Sequence, residues 1–258
     1  MFIPLHDSNQ FRYIRHSYVN LGIILLNVIV FLATVLGASE DFSNASILGL
    51  GYIPSVIHDT AELAPQFVII PENFSYVTYA FLHADVFHLG GNMLFLWVFG
   101  DNIEDALGHL KYLIFYVVCA VAGAWLHGAI LATSVQPLIG ASGAIAGVVV
   151  AYLMLHPHVK LWVLVLMRIP MRIPAYIPIA LWIAFQVLML VTETEDQISW
   201  PAHVGGVIAG ALLVPLLKRR SIKLFDRVPA GLPQTEKQLQ LQPAPATTPE
   251  SVIKWGRQ

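Results

Sequence analysis

The stretch Gly140-Ala141-Ser142-Gly143-Ala144-Ile145-Ala146-Gly147 places one hydroxyl among small residues at the start of an apolar segment. A second stretch, Ala202-His203-Val204-Gly205-Gly206-Val207-Ile208-Ala209-Gly210, places an imidazole at the start of another. Gly143/Gly147 and Gly206/Gly210 are small-xxx-small pairs, the spacing that lets membrane helices approach closely. A serine hydroxyl is a weak nucleophile until an adjacent base takes its proton. The two stretches therefore raise serine-hydrolase chemistry inside a bilayer, provided the fold brings Ser142 and His203 together.

Composition supports the bilayer. Of 258 residues, 57% are hydrophobic and only 12% charged, where a soluble domain carries about 25% charged residues. The mean hydropathy is +0.68. These values imply an all-α, polytopic membrane protein. The single cysteine, Cys119, excludes an internal disulfide and a cysteine metal cluster and reads as a packing residue. No removable signal peptide is expected.

A spanning helix needs about 20 mostly apolar residues. Six segments qualify: Leu21–Ala38, Val86–Gly100 (extending as far as Leu107), Lys111–Thr133, Ser142–His156, Pro174–Thr192 and Ala202–Leu217. The fourth is short, which suits a helix that starts below the membrane surface and is surrounded by protein. Six crossings put all 14 Lys and Arg on one side, with Glu40, Asp41, Asp59, Glu62, Glu72, Glu193, Glu195 and Asp196 on the other. By the positive-inside rule both termini are cytoplasmic. The expected organisation is a cytoplasmic lead over 1–20, a membrane bundle over 21–220 and a disordered cytoplasmic tail over 221–258. An external loop over 39–82 is too long for a mere connector and reads as interfacial pieces. A bacterial plasma membrane is expected.

The second, fourth and sixth spans run in the same direction, so their first residues share one side. The second opens with His83-Ala-Asp-Val-Phe-His88-Leu-Gly-Gly-Asn92. His88 and Asn92 are four apart and share a helix face. A polar pair is costly against lipid, so that face should turn inward. Gly90 and Gly91 read as room for close approach. Ser142, His203, His88 and Asn92 thus meet at one depth. The Ser142 N–H and the side chains of His88 and Asn92 are candidate donors to an oxyanion. Any one of these residues alone reads equally as packing or structure; their convergence carries the argument.

These residues resemble the rhomboid intramembrane serine proteases. The matching pieces are Gly140-Ala-Ser142-Gly, Ala202-His203-Val-Gly-Gly, the His83/His88/Asn92 string and Gly100-Asp-Asn-Ile-Glu-Asp-Ala-Leu-Gly108. Together they cover about Arg12 to Arg220. The resemblance implies a six-helix bundle with a Ser–His dyad, a water-filled cavity open to the outside, and cleavage of transmembrane helices near their external ends. It implies Ser142 as nucleophile, His203 as base and acid, and His88 and Asn92 as oxyanion donors. His83, Gly140, Gly143, Gly206 and Gly210 play supporting roles. No cofactor, metal or nucleic acid is implied; the partners are transmembrane substrates and the lipid bilayer. Two departures stand out. Glu72-Asn-Phe74-Ser75-Tyr76 replaces a Trp-Arg pair found in many members. Ala146 stands where some members stack an aromatic ring on the catalytic imidazole, so either something else holds the imidazole or it is looser.

Three other readings compete. A non-catalytic relative that binds or escorts transmembrane helices would not require Ser142 and His203. A metal site from His83, Asp85 and His88 lacks the H-E-x-x-H spacing. A channel or transporter would show internal repeats. His109, His156 and His158 read as solvated or interfacial, and His127 receives no role. Trp97, Trp125, Trp162, Trp182 and Trp200 read as interface or packing residues.

Overall fold

The computed structural model describes residues 2–9, 11–36, 39–165, 168–192 and 198–225. Most of the expected 221–258 tail lies outside the described residues, as do Glu193, Glu195 and Asp196. The chain begins with strand β1 (Phe2–Asp7) and helix α1 (Tyr18–Phe31), which runs on through a π-helical segment at Leu32–Leu36. The long segment before the second span holds α2 (Glu40–Leu50), α3 (Pro54–Ile57), α4 (Ser75–Thr78) and three short 3-10 turns. These are short pieces, as its mixed polarity implied, rather than one long helix.

Helix α5 (Val86–Phe95) continues through a π-helical segment, Leu96–Gly100, into α6 (Asp101–Leu107). Gly108 turns the chain at φ 87°, a left-handed conformation that favours glycine, and α7 (His109–Ile130) follows at once. Then come α8 (Ser142–Leu155), β2 (Lys160–Val165), β3 (Ile169–Pro174), α9 (Tyr176–Thr192) and α10 (Trp200–Leu217). Among the described residues three helical runs, Tyr18–Leu36, His109–Ile130 and Trp200–Leu217, are long and apolar enough to cross a membrane, and α8 and α9 are shorter apolar helices.

The all-α expectation holds for the bundle and misses a three-stranded antiparallel sheet in the order β1-β2-β3. Phe2 pairs with Val165, and Lys160 pairs with Pro174. The reason is visible in Lys160-Leu-Trp-Val-Leu-Val, where Leu161 and Val163 point inward and are buried while Lys160 and Trp162 point out. An apolar run this short does not by itself distinguish strand from helix end. Pro174 accordingly closes β3 rather than opening the fifth span, and α9 starts at Tyr176. The lead over 1–20 is also more than a leader, since β1 completes this sheet.

Alternate loops gather at opposite ends of the bundle. At one end Asp105 accepts hydrogen bonds from the backbone N–H groups of Arg12, Tyr13 and Ile14, and Arg219 N–H donates to the Ala106 carbonyl. Buried Glu104 accepts from the N–H groups of Val19 and Asn20 and pairs with His109. At the other end Tyr52 and Leu138 exchange backbone hydrogen bonds, and Gly140 N–H donates to the Tyr79 carbonyl. Arg12 and Arg219, which charge assigned to one membrane face, are thus both bonded through their backbone to the Asp105–Ala106 segment.

Helix α8 occupies the centre, and from Gly143 to Tyr152 every residue is buried. Its close neighbours are α7 and α10. A Cβ added to Gly210 would lie 2.6 Å from the Gly147 carbonyl oxygen, and one added to Gly205 would lie 2.6 Å from the Ala122 carbonyl oxygen. One at Gly206 would overlap the Gly143 carbonyl. Backbone therefore meets backbone along both seams; the small-residue spacing predicted the one between α8 and α10. Gly90 and Gly91 differ: a Cβ at either would meet nothing within 4 Å, so they do not serve a close helix contact.

Candidate active site

Ser142 is the first residue of α8, where backbone N–H groups have no partner within the helix. His203 lies in the first turn of α10, which Ser199 caps by accepting the Ala202 N–H. The close α8–α10 seam puts Ser142 Oγ 2.8 Å from His203 Nε2. The Gln186 amide oxygen beside Nδ1 can only accept, so Nδ1 carries the proton and Nε2 accepts from the Ser142 hydroxyl. Nδ1 in turn lies 2.8 Å from Gln186 Oε1, on α9. The imidazole is buried at 9% exposure between the rings of Trp182, 6.2 Å away, and Trp200, 6.0 Å away.

Helix α5 supplies the opposite wall. Asp85 caps α5 by accepting the N–H groups of His88, at 2.9 Å, and Phe87, at 2.7 Å. Those bonds, His88's foremost, hold the Asp85 carboxyl below the usual carboxylate range and commit it to helix capping. His88 and Asn92 project one turn apart toward the chain just before Ser142. A Cβ added to Gly140 would sit 2.5 Å from His88 Nε2 and 3.8 Å from Asn92 Nδ2. Gly140 also has a φ of 114°, so both its conformation and its surroundings demand glycine. Asn92 Nδ2 is buried and has no hydrogen-bond partner among the described residues. A buried N–H left unpaired is costly and calls for an explanation. His83 is buried and packs edge-on against His88, with ring centroids 4.9 Å apart.

All four expected reactive residues, Ser142, His203, His88 and Asn92, therefore line one site. Gly143 and Gly206 form the seam beneath it, and Gly147 and Gly210 continue that seam. Two contributors are absent from the expected set. Gln186 is one; its signal is an amide inside an otherwise apolar span. Tyr79 is the other. Its hydroxyl donates to the Ala120 carbonyl at 2.8 Å, and its carbonyl anchors Gly140. His127, given no role above, bonds Ser199 Oγ through Nδ1 at 2.6 Å and so supports the cap of α10.

The arrangement is a serine hydroxyl against an oriented imidazole, bordered by the unpaired Asn92 Nδ2, on helices of an apolar bundle. Residues 71–220 match the sequence profile of the Rhomboid domain. The chain belongs to the rhomboid family. It is 28% identical over 179 residues to "Rhomboid protein 1, mitochondrial" of Saccharomyces cerevisiae, covering 66% of this chain and 49% of that protein. It is 27% identical over 169 residues to "RHOMBOID-like protein 12, mitochondrial" of Arabidopsis thaliana, covering 57% of this chain and 49% of that protein. To "Rhomboid protease GlpG" of Yersinia pestis it is 31% identical over 142 residues, covering 54% of this chain and 46% of that protein. The chain spans about half the length of the curated relatives it matches. Family membership establishes a membrane protein. Relatives named for mitochondria stand beside a bacterial one, so the likeness does not single out the bacterial plasma membrane expected above.

Proposed function

We propose that this protein is an intramembrane serine endopeptidase that cleaves transmembrane-helix substrates near their external ends. The observation that carries the reading is the 2.8 Å contact between Ser142 Oγ and His203 Nε2. Ser142 Oγ bonds to the scissile carbonyl carbon while His203 Nε2 takes its proton. The carbonyl π electrons move to oxygen, and the oxyanion is held by the Ser142 N–H, the His88 ring N–H and Asn92 Nδ2. The unpaired state of Asn92 Nδ2 supports that role, since it keeps a donor available for charge that exists only in the transition state. His203 then protonates the leaving amine as the C–N bond breaks. A water attacks the acyl-serine, giving a proton to Nε2, which returns it to Ser142 Oγ.

The membrane arrangement belongs to the same proposal: six crossings over residues 21–220, with 1–20 and 221–258 on the cytoplasmic side. Helix α8 has 14 residues, about 21 Å at 1.5 Å per residue. The hydrocarbon core is about 30 Å thick. A helix this short, buried throughout its middle, suits a nucleophile that sits below the external surface.

The test is labelling with a fluorophosphonate in detergent, comparing wild type with Ser142→Ala and His203→Ala, each checked for an unchanged melting temperature. Labelling of wild type alone, together with cleavage of a transmembrane peptide lost in both variants, is expected. A folded wild type that neither labels nor cleaves would overturn the protease reading in favour of a relative that binds transmembrane helices without cutting them.

A further inference from the structure

Helix α9 carries an amide where an apolar span has no general need for one. Its buried residues are Pro178, Ile179 and Gln186, while Leu181, Phe185, Leu188 and Val191 are exposed. Gln186 is therefore the residue that turns inward from the half of α9 beyond Ile179. It is 3% exposed, and its Oε1 meets His203 Nδ1 at 2.8 Å. Trp182 lies one turn earlier on the same face and packs at the same imidazole. Ala146, one turn after Ser142 on α8, offers only a methyl group, so α8 contributes no ring to hold the imidazole.

Building on the protease reading above, the geometry points to Gln186 as the positioning residue for His203: it accepts the Nδ1 proton and leaves the Nε2 lone pair facing Ser142. A neutral imidazole carries one N–H and one lone pair, and the partner of the first nitrogen decides which the second presents. A histidine whose Nδ1 had no acceptor could exchange the two, and Nε2–H cannot take a proton from serine. The acceptor comes from a different helix than the base, so its hold depends on α9 keeping its place against α10. Displacing α9 outward would break the Gln186 bond before disturbing the α8–α10 seam, where backbone packs on backbone.

The test uses the full chain in detergent with two variants, Gln186→Leu and Gln186→Glu. Leucine keeps the bulk and removes the acceptor; glutamate keeps a carbonyl oxygen at the same reach whether ionised or not. The tautomer of His203 is read by 15N NMR of histidine-labelled protein, with the signal assigned by its loss in His203→Ala. Wild type and Gln186→Glu are expected to hold the proton on Nδ1, and Gln186→Leu to show a mixture. The fluorophosphonate labelling rate is expected to fall about tenfold in Gln186→Leu, with the melting temperature kept, and to recover to within about threefold in Gln186→Glu. An unchanged tautomer in Gln186→Leu, or rates that follow melting temperature in both variants, would overturn the assignment. If wild type itself fails to label, the protease reading falls, and the tautomer comparison still decides whether Gln186 positions His203.

Discussion

Replacing Gly206 with alanine should disable the site through geometry alone, because Gly206 is in neither reacting group. A Cβ there would overlap the Gly143 carbonyl oxygen and lie 2.8 Å from the Gly143 carbonyl carbon. Carbon atoms pack best at about 3.5–4.0 Å, so relief requires α8 and α10 to part by about 1 Å at this level. Gly143 follows Ser142, and Gly206 is one helical turn from His203. The same displacement takes the Ser142–His203 contact from 2.8 Å to about 3.8 Å, beyond hydrogen-bond reach. A misplacement of about 1 Å costs on the order of 100-fold in rate, or about 2.7 kcal/mol of barrier. Overpacking the seam should cost about 1–3 kcal/mol of stability. The assay is the second-order rate of fluorophosphonate labelling, with thermal unfolding in the same detergent. Gly22→Ala is the control, since a Cβ there meets nothing within 4 Å; its rate should equal that of wild type. A folded Gly206→Ala protein labelling within twofold of wild type would refute the claim that the seam sets the nucleophile–base distance.

Asn92→Ala should lower the turnover of a transmembrane peptide by about 100- to 1,000-fold without lowering the melting temperature, because it removes one oxyanion donor that has no structural bond to lose. Turnover at the wild-type rate would cancel that role. Glu104→Ala should cost about 3–5 kcal/mol of stability, measured by thermal or chemical unfolding, since it strips a buried carboxylate from the N–H groups of Val19 and Asn20 and from His109; a loss under about 1 kcal/mol would contradict it. Asp7 is buried beside Tyr152 and Asn102, and that burial raises its carboxyl above the ordinary 3.8. Its folded form holds the proton more tightly than its unfolded form, so its contribution is full at and below about 3.8 and is lost as pH rises through the raised value. The Asp7→Asn variant should accordingly lose less stability than wild type over that rise; parallel curves would show that Asp7 does not titrate there.

Much of the site was legible because its signals are local. Glycine pairs at four-residue spacing announce backbone contact, and Gly206 against Gly143 realises it. The expected alternation of crossings put the first residues of α5, α8 and α10 at one level, and His88, Ser142 and His203 do meet at one site. Gln186 was not legible in the same way. Whether an amide in an apolar helix faces a partner or merely tolerates its place depends on rotation of that helix, and α9 has no glycine pair or polar repeat to fix its rotation. The β1–β2 pairing was hidden for a different reason. It joins Phe2 to Val165 across most of the chain, and nothing in six residues of β1 identifies so distant a partner.

The division of labour among the helices follows from the solvent. The proposed nucleophile and base sit on α8 and α10, whose backbones touch, so the helix separation behind their 2.8 Å contact is set by backbone packing. The outer helices α5 and α9 each contribute a neutral amide, Asn92 and Gln186, to opposite sides of the reacting pair. An amide suits both places. A carboxylate in the position of Gln186 would be expensive to bury at membrane depth unless it took up a proton and turned neutral. An amide oxygen fixes the ring's proton at Nδ1 without that cost. The site thus keeps the orientation that a third member provides to a Ser–His pair while carrying no fixed charge among its four principal side chains, the arrangement that costs least where water is scarce.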